Sequence, residues 1–321
     1  MNAAQYFQRN FMVNDLGHLV IGGCDVVELA KTYGTPLYIL DEQLIRANCR
    51  QYADTLAELY PDFEVIYASK AFLTKALCGL LHQEGLGLDV VSGGELYTAL
   101  EAGFPPERIY FHGNNKSHEE LTLALRHQVG HIMVDNLMEL ETLIQLAKET
   151  GTRPRVIFRL TPGVEAHTHA YDQTGQLDSK FGMDIQQGTA LQAVKIALGC
   201  PQLQLEGFHA HIGSQIFEVA PYEATIEILG EFMAMVREKT GFLASTLDLG
   251  GGLGIKYNKN EMPMPIPEVM KRIAQKVRAT MGALNYPLPR LILEPGRSII
   301  GDTGTTLYTI GTIKEIPGIR Q

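Results

Sequence analysis

The chain has 321 residues, 45% of them apolar, and a formal net charge of −9 from 27 basic and 36 acidic side chains. That length suits one large α/β domain or two ordinary ones with a sizeable core. The acidic balance, the lack of any Lys/Arg run and the lack of a stretch near the roughly 18 apolar residues of a membrane span argue against nucleic acid and membranes as partners.

The N-terminus, MNAAQYFQRNF, has no basic segment followed by an apolar one, so no secretory leader is expected. Cys24, Cys49, Cys78 and Cys200 are widely spaced and form no C-x-x-C pair. All four read as buried structural thiols of a cytoplasmic protein, not as a zinc ribbon or disulfide framework.

In chain order, the first forty residues hold a β-rich piece (HLVIGG), a short helix (VVELAKTYG) and another β-run (PLYIL), followed by a helix at about 42–59. From residue 65, short β-rich runs alternate with helical patterns: 65–69, 88–91, 109–112, 131–134, 155–160, 205–211, 246–250 and 290–295. Ser117 and Asn136 read as N-caps, and Gly85, Gly103 and Gly151 as helix stops. Eight strands with intervening helices predict a (β/α)8 TIM-like barrel of the usual ~250 residues. A doubly wound sheet would need fewer strands and a Gly-rich first crossover, which residues 68–74 do not supply.

After the eighth strand no closing helix is predicted. The segment GDTGTTLYTIGTIKEIPGIRQ favours strands and turns. The fold class is therefore α/β, with residues 41–299 as the barrel and the chain ends, 1–40 and 300–321, as parts of a second, β-type domain.

Chemistry in such a barrel sits where strands end. Those tips carry Lys70, Ser92, His112, Asp135, Thr161, His211, Gly250 to Gly252, and Glu294 with Arg297. Lys70 reads either as a solvated strand end or as an imine-forming amine whose ammonium is lowered by desolvation. Lys180, in a long loop at 162–182, competes as a lid or substrate contact. The glycines of LDLGGGLG allow backbone N–H groups to approach an anion, though a tight turn explains them equally. EPGRS supplies a carboxylate, Glu294, and a phosphate- or carboxylate-gripping Arg297; a local ion pair is the plainer reading of either. The H-x-H pairs His209/His211 and His167/His169 offer imidazoles for a metal, but no carboxylate accompanies them on that tip, and no metal is expected. His211 suits stacking on a flat ring, with Gly213 and Ser214 beside a phosphate. An amine, a phosphate cradle, a carboxylate and an aromatic platform together match the needs of pyridoxal phosphate.

The motifs Y-A-S-K-A, L-D-V-V-S-G-G-E-L, L-D-S-K-F-G, H-x-H-I-G-S-Q, G-G-G-L-G and E-P-G-R-S stand here in order. In this the chain resembles the fold-type III pyridoxal-phosphate decarboxylases, and among them the diaminopimelate decarboxylases, across nearly its whole length. The resemblance implies that Lys70 carries the cofactor, His211 stacks on its ring, and Glu294 meets its ring nitrogen. It further implies that Ser214, Gly250, Gly251, Gly252, Pro295, Gly296 and Arg297 surround the phosphate, with Arg297 also meeting a substrate carboxylate. The implied reaction is decarboxylation of meso-diaminopimelate, a small amino-acid substrate, to L-lysine and CO2 in a cytoplasmic homodimer with shared active sites. Family members continue beyond this sequence into a segment that carries a cysteine proton donor for the partner subunit. On that resemblance the present chain is expected to bind cofactor but to turn over poorly alone. The alternatives are a decarboxylase for ornithine, arginine or carboxynorspermidine, and a non-catalytic cofactor-binding homologue.

Overall fold

Strands β1 (Phe11–Val13), β2 (Leu19–Ile21) and β3 (Cys24–Asp25) pair antiparallel in a small sheet at the start of the computed structural model, which describes residues 11–164, 180–258, 260–314, 316 and 318. Asp25 then caps α1 (Val26–Tyr33), accepting from the N–H groups of Val27 and Glu28. After β4 (Leu37–Leu40), Asp41 caps α2 (Glu42–Leu59) in the same way.

The barrel follows as β5 (Phe63–Ala68), α3 (Lys75–Gln83), β6 (Gly87–Val90), α4 (Gly93–Glu101), β7 (Ile109–Phe111), α5 (His118–Arg126), β8 (His131–Val134), α6 (Leu137–Thr150) and β9 (Arg155–Thr161). A two-residue β10 (Met183–Asp184) pairs on the outer part of β9. Next come α7 (Thr189–Leu198), β11 (Gln204–His209), α8 (Ala220–Thr240), β12 (Thr246–Asp248), α9 (Ile266–Ala283), β13 (Arg290–Leu293), α10 (Arg297–Ile300) and β14 (Gly304–Leu307). Eight strands pair in parallel in the order β5-β6-β7-β8-β9-β11-β12-β13, and β13 returns to β5. The barrel is closed, and all eight predicted strands are in it.

The caps fall where the sequence puts them. Ser117 and Glu120 form a reciprocal capping box on α5, Asn136 caps α6, and Gly151 ends α6 in the left-handed conformation. One expectation needs correction. A short helix, α10, does follow the eighth strand, yet it is only one turn long. The slot of a full closing helix is filled by α2, which packs against α9 on one side and α3 on the other. The two chain ends meet beside it: β14 pairs antiparallel with β4, and Asp41 N–H donates to the Thr303 carbonyl.

Strand alternation sorts the barrel into an outer and an inner set. Val65, Tyr67, Phe158, Leu291 and Leu293 join the core beneath the helices. Their neighbours Ile66, Tyr110, Met133, Ile157 and Ile292 point inward and form a separate apolar plug on the barrel axis. Below it lies a polar ring, where Tyr110 donates to Glu64 (2.6 Å) and His131 lies 2.8 Å from Glu206. Above it, two residues beyond Tyr110, Met133, Ile157 and Ile292, the inward positions turn polar, while Ala68 beyond Ile66 stays apolar.

The loops after β7 and β8 share a buried brace. Lys116 donates to the Gly113 and Met133 carbonyls (2.7 and 2.8 Å) and forms an ion pair with Glu139 Oε1 (2.8 Å). Lys116→Met is expected to cost ~3–5 kcal/mol in urea unfolding, because Glu139 would be left buried without its cation. A loss below ~1 kcal/mol would show the pair to be solvated.

Candidate active site

The polar layer above the plug is built from seven strands. Asp89 (β6), His112 (after β7), Asp135 (after β8), Arg159 (β9), His209 (β11), Asp248 (β12) and Glu294 (after β13) are all buried. Charged groups in such a place are costly unless paired, and most of these are.

Glu294 is the hub. Its Oε1 lies 2.8 Å from His112 Nε2 and its Oε2 3.2 Å from His209 Nε2. The two imidazoles stand edge to face, with centroids 5.0 Å apart. Burial pushes the Glu294 carboxyl up, but His112 and His209 outweigh it and hold it well below the usual carboxylate range. Burial draws His209 down to about 4 against the pull of Glu294, so that ring is neutral near pH 7. The approach of His112 to Oε1 is out of line for a hydrogen bond, which leaves this buried oxygen with an unspent acceptor.

Lys70 stands at the rim on a 3-10 turn, Ser69–Ala71, that follows β5. Its side chain is 49% exposed and its ammonium donates to Asp89 Oδ2 at 3.3 Å. Here the structure corrects the sequence. Desolvation does pull the ammonium down, but Asp89 and Glu294 together pull harder, and the balance lies above the ordinary lysine value. The amine is therefore charged near pH 7 until those carboxylates are otherwise engaged.

His211, two residues past His209, accepts from Gly251 N–H at 3.3 Å through Nδ1. Burial, then the Lys70 and Arg159 cations, hold it well below its usual value, so its ring is neutral. Arg297 opens α10; its Nε donates to Ser214 Oγ (3.2 Å) and its Nη1 to the Tyr257 hydroxyl (2.8 Å). The loop between these groups needs its glycines. A Cβ at Gly251 would collide with the Glu294 carbonyl, and Gly252, with a φ of 108°, with the Gly213 carbonyl. Pro295 ties the eighth tip to the first, its carbonyl accepting from Ala68 N–H (3.1 Å), and Gly296 packs against Ala68 and Ala71.

The tip residues named from sequence thus converge on one mouth, apart from Lys180. That lysine is exposed, its Nζ 5.2 Å from the Phe181 ring. His167 and His169 lie outside the described residues. Sequence reasoning left Asp89, Arg159, Asp248 and Tyr257 without a role, and it paired His209 with no carboxylate. The available signal was a charged or imidazole residue inside an otherwise apolar strand, as in L-D-V-V, F-H-A-H and L-D-L-G. Donor atoms of His112, His209 and Glu294 lie within 4.8 Å of one another, and both imidazole Nε2 atoms are ion-pair partners of the carboxylate.

A buried anion beneath a rim amine, a neutral imidazole and a glycine turn with no room for a Cβ, all on a (β/α)8 barrel, suit an aldehyde cofactor with a ring nitrogen. The family model for the pyridoxal-binding domain of pyridoxal-dependent decarboxylases matches residues 42–301. The chain is 47% identical over 316 residues to the diaminopimelate decarboxylase of Bacillus methanolicus, covering 98% of itself and 73% of that protein. It is 48% identical over 308 residues to the same enzyme of Bacillus subtilis strain 168, covering 96% of itself and 70% of that protein. The crystal structure of diaminopimelate decarboxylase from M. jannaschii in co-complex with L-lysine superposes with a TM-score of 0.86 at 36% identity, over 96% of this chain and 71% of that one. The chain belongs to the pyridoxal-dependent decarboxylases and, within them, to the diaminopimelate decarboxylase family.

The residues present fit the family's cofactor, pyridoxal phosphate. The unspent Glu294 Oε1 suits a ring N–H, and the loop that excludes any Cβ at Gly251 and Gly252 suits a phosphate beside Ser214 and Arg297.

Proposed function

We propose that the chain decarboxylates meso-2,6-diaminopimelate to L-lysine and CO2. The observation that carries the reaction class is Glu294, an anion buried between His112 and His209 below Lys70. The substrate follows from the relatives at 47% and 48% identity, which are diaminopimelate decarboxylases. When bound, pyridoxal phosphate supplies an electron sink for the pair released as a bond at the substrate's α-carbon breaks.

Each residue has a task in this reading. Lys70 holds the cofactor covalently, and Asp89 takes up and orients its ammonium when it is free. Glu294 keeps a proton on the ring nitrogen, because an anion at Oε1 favours the protonated partner. His211 offers a neutral face for stacking. Gly250, Gly251, Gly252, Ser214, Pro295 and Gly296 shape the phosphate cradle, and Arg297 grips phosphate or a substrate carboxylate. Burial of the whole layer excludes water and strengthens every one of these charges.

A homodimer with shared active sites belongs to the same reading. Tyr257, 61% exposed with its hydroxyl on Arg297, supports it by leaving apolar surface at the rim of the mouth. Cytoplasmic residence is supported by the four free cysteines, of which Cys49, Cys78 and Cys200 are buried as expected while Cys24, in the short strand β3, is exposed. The test is release of CO2 and L-lysine from meso-diaminopimelate by the protein loaded with pyridoxal phosphate. Turnover of ornithine, arginine or carboxynorspermidine instead would overturn the substrate. Cofactor binding with no turnover of any of them would favour the non-catalytic alternative.

A further inference from the structure

One buried carboxyl of the mouth has no task in that reading. Asp248 is fully buried at the end of β12 and spends Oδ1 on Gly250 N–H at 2.9 Å, while Oδ2 accepts no hydrogen bond among the described residues. Cations are taken elsewhere: Lys70 faces Asp89, Arg159 lies 3.9 Å from Asp135, and both histidines of the layer face Glu294. What abuts Asp248, across the paired strands β12 and β13, is a second carboxyl, that of Glu294. Glu294 N–H also donates to the Gly250 carbonyl (2.9 Å), so both acids hold the same glycine turn.

The geometry points to Asp248 as a neutral positioning residue, whose protonated Oδ2 donates to the Glu294 carboxylate and locks it to the Gly250 turn. Two buried carboxyls in contact cannot both ionise, and the proton rests on the one with fewer polar neighbours to favour its charge. Glu294 has two imidazole nitrogens within 3.2 Å, and Asp248 has one amide N–H. Burial, then the Glu294 charge, push Asp248 well above the usual carboxylate range. The other groups that face it do not reverse this. Asp89 repels a second charge, His209 is neutral, Tyr110 stays protonated because burial raises it, and Arg159 is pulled chiefly by Asp135. A donor on Glu294 fixes its orientation and lowers its basicity, so it accepts a hydrogen bond from a ring nitrogen without removing the proton. This catalytic consequence rests on the role proposed for Glu294; the shared proton does not.

The test therefore starts on the apoprotein. Asp248→Asn keeps an N–H donor and cannot ionise. A carboxyl that stays protonated when folded and ionises when unfolded weakens the fold as pH rises. Urea unfolding of the parent should thus lose ground to Asp248→Asn by about tenfold in the unfolding constant per pH unit as pH rises above about 5. Parallel pH curves would overturn the proposal. Should the variant not fold, infrared spectra of the parent with 13C-labelled aspartate decide the question. A label-shifted protonated-carboxyl band at neutral pH is expected, and its absence refutes the neutral acid. In the loaded enzyme, Asp248→Leu, which has no donor, should lose at least about tenfold more kcat than Asp248→Asn. Equal losses would make Asp248 mere packing.

Discussion

Lys70→Ala is expected to lower kcat for CO2 release by ~10³-fold or more, on the scale of ~4 kcal/mol in barrier, while the barrel stays folded. The side chain sits half exposed at the rim and supports no apolar core, so its loss removes chemistry and little stability. Borohydride treatment of the loaded parent should fix the cofactor to the peptide that holds Lys70, and the variant should take none. Because Asp89 and Glu294 hold the Lys70 ammonium above its ordinary value, attachment should quicken as pH rises from neutral, where the amine must first lose its proton. Label on Lys180, or an attachment rate that is flat with pH, would sink this assignment.

Glu294→Gln is expected to keep the cofactor bound and to slow decarboxylation by ~10²-fold or more, a loss of ~3 kcal/mol. An amide at this position brings no charge to hold the proton on a ring nitrogen. It would also leave His112 and His209 facing each other with no anion between them. Stability need not fall in proportion, since the variant no longer buries a charge. The measurement is CO2 release at saturating meso-diaminopimelate, alongside the visible spectrum of bound cofactor. A rate equal to the parent's would reduce Glu294 to a structural anion.

These effects were not equally legible beforehand. Lys70, His211, the glycines 250–252, Glu294 and Arg297 stand at strand ends, and strand ends can be read from β-rich runs and their helix caps. The direction of the Lys70 shift was not legible. It depends on Asp89 and Glu294, which lie 19 and 224 positions away along the chain, and desolvation alone gives the opposite sign. Tyr257 went unread for a similar reason. Nothing in GLGIKYNK marks a tyrosine whose hydroxyl will hold an arginine forty residues further on.

By itself the sequence determined the elements, because helix caps, glycine stops and alternating apolar runs act over a few residues. Eight such runs with crossovers leave few ways to bury both faces of a parallel sheet, so the barrel and its chemical face followed. The tertiary structure alone decided which polar groups meet. Asp89, His112, Arg159, His209, Asp248 and Glu294 come from six different strands, and only closure of the barrel stacks their inward positions in one layer above the Ile66–Tyr110–Met133–Ile157–Ile292 plug. Their charges are set by one another at distances of a few ångströms through a dry interior. No local pattern in the chain encodes such a sum.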